Sequence, residues 1–172
     1  GLPTPVAYII VALALVPFMQ QIGIPPLQAH FFVFYFAVFS TLTPPVAVSV
    51  LAAAKLGEAT FLSTAKDAMK IALTTFIIPF AFVFSPELML FPNVTWGTML
   101  AVVEVVFVQL AVSVASYGFL IRSLNGFERG VYAFVALSGF LGFTYDANFW
   151  YVAVALFMTI SGYVFVSNKT QE

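Results

Sequence analysis

Residues 36–54 read FAVFSTLTPPVAVSVLAAA. The flanks of this stretch are as apolar as a membrane span, yet Ser40-Thr41-Leu42-Thr43-Pro44-Pro45 sits in its middle. One proline removes a helical hydrogen bond and clashes with the preceding turn, so two in succession forbid a regular helix there. Non-helical backbone at membrane depth is tolerated only where it is buried in protein or lines a cavity. The reading of the whole chain turns on whether its surroundings are lipid.

Composition answers that. The chain has 172 residues, of which 62% are hydrophobic and 8% charged, and its mean hydropathy is +1.06. A soluble domain is about 25% charged. Six basic and seven acidic side chains cannot cover a water-exposed surface of this size. The chain reads as an all-α integral membrane protein. A net charge of −1 and the lack of a basic run give no sign of a nucleic-acid partner, and none is expected. The absence of cysteine excludes disulfides and thiolate metal sites. The first residues, GLPTPVAYII, have no initiator Met and no positive n-region, as expected of a piece that starts inside a larger protein.

Apolar length and breaker residues set the expected spans. Residues 5–20 are apolar but short of a full crossing, which suits one leg of a re-entrant hairpin whose tip is residues 1–4. Residues 26–56 form the broken span, stopped by Gly57. An interfacial segment from residue 57 leads into a span at about 68–84. About three more spans follow, at 95–121, 129–144 and 148–166, making about four helices beyond the broken one. The expected division is 1–90, containing hairpin, break and the 57–84 segment, and 91–172, containing the C-terminal helices.

Following that alternation, Lys55, Lys66, Lys70, Arg122, Arg129 and Lys169 fall on one side, and Glu87 and Asp146 on the other. These are all six basic residues, and the sorting matches the positive-inside pattern. The C-terminus is expected to be cytoplasmic and the turn at 21–25 to face outward.

At the break, carbonyls in the turn before Pro44 and Pro45 lose their donors, and Ser40, Thr41 and Thr43 add hydroxyl oxygens. Neutral oxygens without a counter-donor suit a hard cation, as in the broken helices of secondary transporters. The half-helix starting near Val46 points its positive dipole end back toward the break and suits a carboxylate. A proline kink healed by threonine back-bonding is the bland alternative. Gly1, Pro3 and Thr4 form a second candidate, or a plain structural turn. Glu104 is the acid well inside a span and so a candidate proton site, or a tether to a neighbouring helix. His30 has no nearby carboxylate in sequence and reads as interfacial. No nucleophile–His–acid set, phosphate loop or pair of metal-ligating histidines is present, so an enzyme is not expected.

GLPT-x-x-AY, followed about 30 residues on by FVFYFAVFS-x-L-TPPVA, resembles the C-terminal half of the large membrane subunit of tripartite ATP-independent periplasmic (TRAP) transporters. IIPFAFVFSPELML at 77–90 is similar to the region after it, and RSLNGFERG with its spans resembles the tail of the form in which small and large subunits are fused. The resemblance implies half of an inverted-repeat elevator transporter that imports organic acids, often dicarboxylates, with Na⁺ across the inner membrane. It implies no cofactor beyond that coupling ion. Its implied partners are a periplasmic substrate-binding protein, the first repeat and the small-subunit region. It also implies that Gly1, Pro3, Thr4, Ser40, Thr41, Thr43 and Pro44 frame a Na⁺ site, with Thr4, Pro45 and Val46 near the substrate path. With the first repeat absent, this chain alone is expected not to transport. The alternatives are a different ion-coupled carboxylate carrier, a non-transporting membrane scaffold and, last, a membrane enzyme.

Overall fold

The computed structural model describes residues 3–45, 47–89 and 94–169, and among them the regular structure is helical throughout. The helices are α1 (Thr4–Gln21), α2 (Pro26–Phe39), α3 (Val48–Leu56), α4 (Phe61–Leu73), α5 (Ile77–Phe84), α6 (Trp96–Tyr117), α7 (Gly126–Thr144) and α8 (Ala147–Lys169), with a 3₁₀ turn at Pro86–Met89. They form two compact units, 1–89 and 90–172.

Large apolar side chains lie on the outside. Leu13 is 76% exposed, Val103 58% and Met158 70%. In water such a surface would be costly at about 25 cal/mol per Å²; against hydrocarbon it is the favoured surface. Among the described residues, Thr4–Gln21, Phe61–Phe84, Trp96–Tyr117 and Ala147–Asn168 are long and apolar enough to cross a membrane. The chain is a multi-pass membrane protein.

In the first unit, α1 and α2 form a hairpin. Gly23 takes a left-handed turn at φ +92°, and the Ile24 N–H returns to the Met19 carbonyl. Pro25 and Pro26 then start α2, where a missing N–H costs nothing. Ala12, Val16 and Met19 pack against Ala29 and Val33. Small Ala12 and Ala29 let the two backbones approach. The far side of α2 meets α5 through rings, with Phe32 edge-on to Phe80 and Phe31 edge-on to Phe82. α3 packs on α4 through Ala47, Val50 and Ala65.

Two expectations change here. α1 spans 18 residues, or about 27 Å, so its length does not set it apart from a crossing helix. The span expected at about 68–84 is not one continuous helix: Phe61–Leu73 forms one helix, Thr74–Phe76 a joint, and a second helix starts at Ile77. Thr60 starts the first as an N-cap, its hydroxyl accepting from the Ser63 N–H at 3.3 Å. Pro79 explains the joint: it has no N–H to offer the Thr75 carbonyl one turn back.

The second unit is an up-down-up array of α6, α7 and α8. Gly139 and Gly142 bring α7 close to its neighbours. A Cβ at Gly139 would lie 2.7 Å from Val108 Cγ2, and one at Gly142 would lie 2.9 Å from the Trp150 backbone nitrogen. The α6–α7 connection is built from its own polar residues. Gly118 ends α6 in the left-handed conformation at φ +67°. Arg129 donates from Nε to the Ala115 carbonyl at 2.9 Å and from Nη2 to that of Ser116 at 3.1 Å, serving the helix end. Asn125 and Glu128 form a reciprocal capping box at the start of α7. The Glu128 carboxylate is 1% exposed. It accepts from Arg122 Nη2 at 2.6 Å, Arg122 Nη1 at 3.1 Å and the Asn125 N–H at 2.8 Å. A charge this buried is stable only with such complete pairing.

Candidate functional site: the broken helix

The span expected over 26–56 is interrupted between Phe39 and Val48. α2 tightens as it ends: the Leu42 and Thr43 N–H groups both donate to the Phe39 carbonyl, at 2.9 and 3.1 Å. The Pro44–Pro45 peptide is cis. The chain re-enters helix through Ala47, which is left-handed at φ 35° and buried. The Ala47 N–H donates to the Thr43 carbonyl at 3.2 Å, and the Ser49 N–H reaches back to the Thr41 carbonyl at 3.1 Å.

Some of the oxygens freed by the prolines are therefore already occupied. Thr41 O, which would have faced the nitrogen of Pro45, is taken by Ser49. Ser40 Oγ donates to the Ala37 carbonyl at 2.7 Å, and Thr41 Oγ1 to that of Val38 at 2.9 Å. Each hydroxyl spends its hydrogen on the preceding turn and keeps acceptor lone pairs. Among the described residues Thr43 Oγ1 makes no hydrogen bond, and neither does Ser40 O, whose i+4 partner would have been Pro44. Both back-bonding and spare oxygens are thus present at one break. Pro44 and Pro45 are exposed, and Ser40, Thr41 and Thr43 half-buried.

At the other candidate, Pro3 caps α1 with φ −55° and ψ 143°, and Thr4 is the first helical residue. The Pro3 carbonyl accepts from Val6 and Ala7. Thr4 lines a cleft of about 420 Å³ between α1 and α2 together with Pro5, Tyr8, Leu27, His30, Phe31 and Phe34. No hydrogen bond among the described residues joins Thr4 to Ser40, Thr41 or Thr43. Gly1 and Val46 lie outside the described residues. Glu104 is half-buried on α6, in the second unit. His30, expected as interfacial, shares a 2.8 Å hydrogen bond between its Nδ1 and the Tyr8 hydroxyl, which ties α2 to α1. No cluster of three or more His, Cys, Asp or Glu side chains suited to a metal occurs among the described residues.

Residues 1–97 match the family described as tripartite ATP-independent periplasmic transporter, DctM component. That is more than half of the 172-residue chain. The chain belongs to this DctM family. The matched part of this DctM-family chain contains both α1 and the whole break. No curated protein and no solved structure matches the chain. The family is one of transporters, so the part carrying the break belongs to a TRAP membrane permease.

Two polar residues of α2, Tyr35 near the break and Gln28 at the opposite end of the helix, have roles that the sequence does not announce. The Tyr35 hydroxyl donates to the Thr75 carbonyl at 3.2 Å. Gln28 is buried in α2, with an Oε1 that has no partner among the described residues. Pro79, four residues after Thr75, was the available signal for the first; nothing in the sequence singles out the second.

Proposed function

We propose that this permease component couples Na⁺ entry to the import of organic acids of the dicarboxylate type, delivered by a periplasmic binding protein. The observation that carries the reading is the interrupted helix at Ser40–Ala47, inside the family-matched part of the chain. Its ligands would be neutral: the hydroxyl oxygens of Ser40, Thr41 and Thr43, with the Ser40 carbonyl that Pro44 frees. A set without a carboxylate favours a monovalent hard cation over Ca²⁺, which draws its affinity from charged ligands. Gly1, Pro3 and Thr4, as the tip of a re-entrant hairpin, would close the site, and Pro45 and Val46 would meet the substrate carboxylate at the start of α3. Glu104 is the acid to test for a proton contribution. The proposed setting is the inner membrane with a cytoplasmic C-terminus, beside a first repeat and a small-subunit region. Movement would be of the elevator type.

Thermal stability of the intact permease in Na⁺ against K⁺ at equal ionic strength tests the central claim, since a ligand that binds the folded state raises its stability. A Na⁺-specific rise in the wild type that shrinks in Thr43→Ala is the expected result. No Na⁺-specific rise up to several hundred millimolar would remove the sodium site. An undiminished rise in the variant would move that site away from Thr43.

A further inference from the structure

The first unit contains two helix interruptions, and they lie side by side. The first follows Phe39, the last residue of α2. The second is the Thr74–Phe76 joint between α4 and α5. Phe39 and Phe76 are in ring contact, with centroids 5.0 Å apart, and Phe36 stacks on Phe76 at 6.1 Å.

At the second joint most of the freed carbonyls are served locally. Thr74 Oγ1 donates to the Ile71 carbonyl and Thr75 Oγ1 to that of Ala72, both at 2.8 Å. The Thr75 carbonyl is different. Its i+4 partner would be Pro79, which has no N–H. The Ile78 N–H fills one lone pair in 3₁₀ fashion at 3.1 Å. The other is filled from a separate helix by the Tyr35 hydroxyl. Among the described residues this is the side-chain hydrogen bond that joins α2 to the α4–α5 segment. The Tyr35 ring also stacks on Phe39, with centroids 5.0 Å apart and planes 15° from parallel. Phe39 carries the carbonyl that holds the Leu42 and Thr43 amides.

We infer that Tyr35 is a positioning residue: its hydroxyl fastens the α4–α5 joint to the end of α2, so that two interrupted helices hold the Ser40–Ala47 break in one geometry. As a statement about ion binding this rests on the sodium reading above; as a statement about the mechanics of the break it does not. Phenylalanine at position 35 keeps the ring stack and removes only the tie. Alanine at position 79 adds a third donor, which competes with the Ile78 N–H and the Tyr35 hydroxyl for the two lone pairs of the Thr75 carbonyl.

The test uses the intact permease and two readouts. The first is hydrogen–deuterium exchange of the amides between Ser40 and Ser49 in K⁺ medium without Na⁺. The second is the Na⁺ concentration needed for half of the thermal stabilisation. Tyr35→Phe is expected to speed exchange at the break and to raise the Na⁺ midpoint, each by about five- to tenfold, the worth of one hydrogen bond. Pro79→Ala should speed exchange in the same segment. Tyr132→Phe, which removes a hydroxyl from the α7–α8 contact with Ser161 instead, should leave both readouts at wild-type values. Wild-type exchange at the break in both Tyr35→Phe and Pro79→Ala would overturn the proposal, whatever Na⁺ does. Faster exchange in a protein whose wild type shows no Na⁺ stabilisation would uphold the tie and overturn the sodium reading. Faster exchange with an unchanged Na⁺ midpoint would overturn the role of Tyr35 in ion binding.

Discussion

Ala47 closes the break at a conformational cost. An L-residue in the left-handed region is disfavoured by about 1–2 kcal/mol, because Cβ crowds the carbonyl oxygen. Ala47 sits there at φ 35° with its side chain fully buried. Glycine removes that cost and gives back part of the gain through the larger entropy of its unfolded chain. Ala47→Gly is therefore expected to stabilise the permease by about 0.5–1 kcal/mol, and Ala47→Val to destabilise it by about 2 kcal/mol or more. Thermal unfolding of the two variants beside the wild type reads both signs. Glu128 behaves differently, since its state depends on pH. The hydrogen bonds from Arg122 hold its carboxyl below the ordinary value of 4.5, helped by the Asn125 N–H. A folded value below the unfolded one means that the pair's contribution is fully present above about pH 4.5. It is lost as pH falls through the lower, folded value. Glu128→Gln should lower the melting temperature by several degrees near pH 7 and flatten the acid side of the stability profile; equal acid slopes in the two proteins would refute the assignment. How legible these residues are in sequence differs for physical reasons. Thr43-Pro44-Pro45 announces itself because proline has no N–H to give. Asn125-Gly-Phe-Glu128 spells a capping box, yet the reading used Arg122 and Arg129 only as charges on one side of the membrane. That Arg122 reaches Glu128 depends on the fold of the loop, which spacing alone does not specify.

At the scale of elements, helix starts and stops follow local chemistry, and close approaches do not. The joint at Thr74–Phe76 follows from Pro79, and α7 begins at Gly126 instead of 129 because Asn125 caps it. By contrast, neither Gly139 nor Gly142 marks itself in the sequence as a contact, since glycine is common in membrane helices. Gly142 faces the backbone of Trp150, and an added Cβ would stand 2.9 Å from its nitrogen and 3.1 Å from its Cα. Backbone cannot turn aside as a side chain can, so α7 and α8 would have to separate locally. That loosens Trp150, which packs edge-on to Phe107 with ring centroids 4.8 Å apart. Gly142→Ala should cost about 1–3 kcal/mol and shift the tryptophan emission, while Gly130→Ala, where a Cβ meets nothing within 4 Å, should be neutral or slightly stabilising. Thermal melts and emission spectra of the two variants decide it. A Gly142→Ala protein with unchanged stability would mean that the α7–α8 contact is slack.

For the whole molecule, the charges carry information that the fold of either unit lacks, namely which side faces the cytoplasm. Hydropathy placed the helices in sequence, and hydrophobic exposure such as that of Leu13 and Met158 agrees with lipid around them, but neither has a direction. The proposed direction rests on Lys55, Lys66, Lys70, Arg122, Arg129 and Lys169, which alternate with Glu87 and Asp146 along the chain. Lys66, Glu87 and Asp146 are all exposed, so a thiol at any of them is reachable by a reagent in water. This chain has no cysteine of its own to confuse the labelling. A membrane-impermeant maleimide should therefore label Glu87→Cys and Asp146→Cys in right-side-out vesicles, and Lys66→Cys only in inside-out ones. The reverse pattern at all three positions would invert the proposed orientation, placing the C-terminus outside. A reversal at Asp146 alone would mean that one fewer or one more helix crosses between residues 87 and 146. The expected alternation puts 87 and 146 on the same side through two crossings, supplied by α6 and α7. α7 is the less apolar of the two, since Glu128 and Arg129 in its first turn keep it out of the set of stretches apolar enough to cross unaided. Packed between α6 and α8, it needs less lipid-facing apolar surface than they do, and on that ground Asp146 is expected to label from outside.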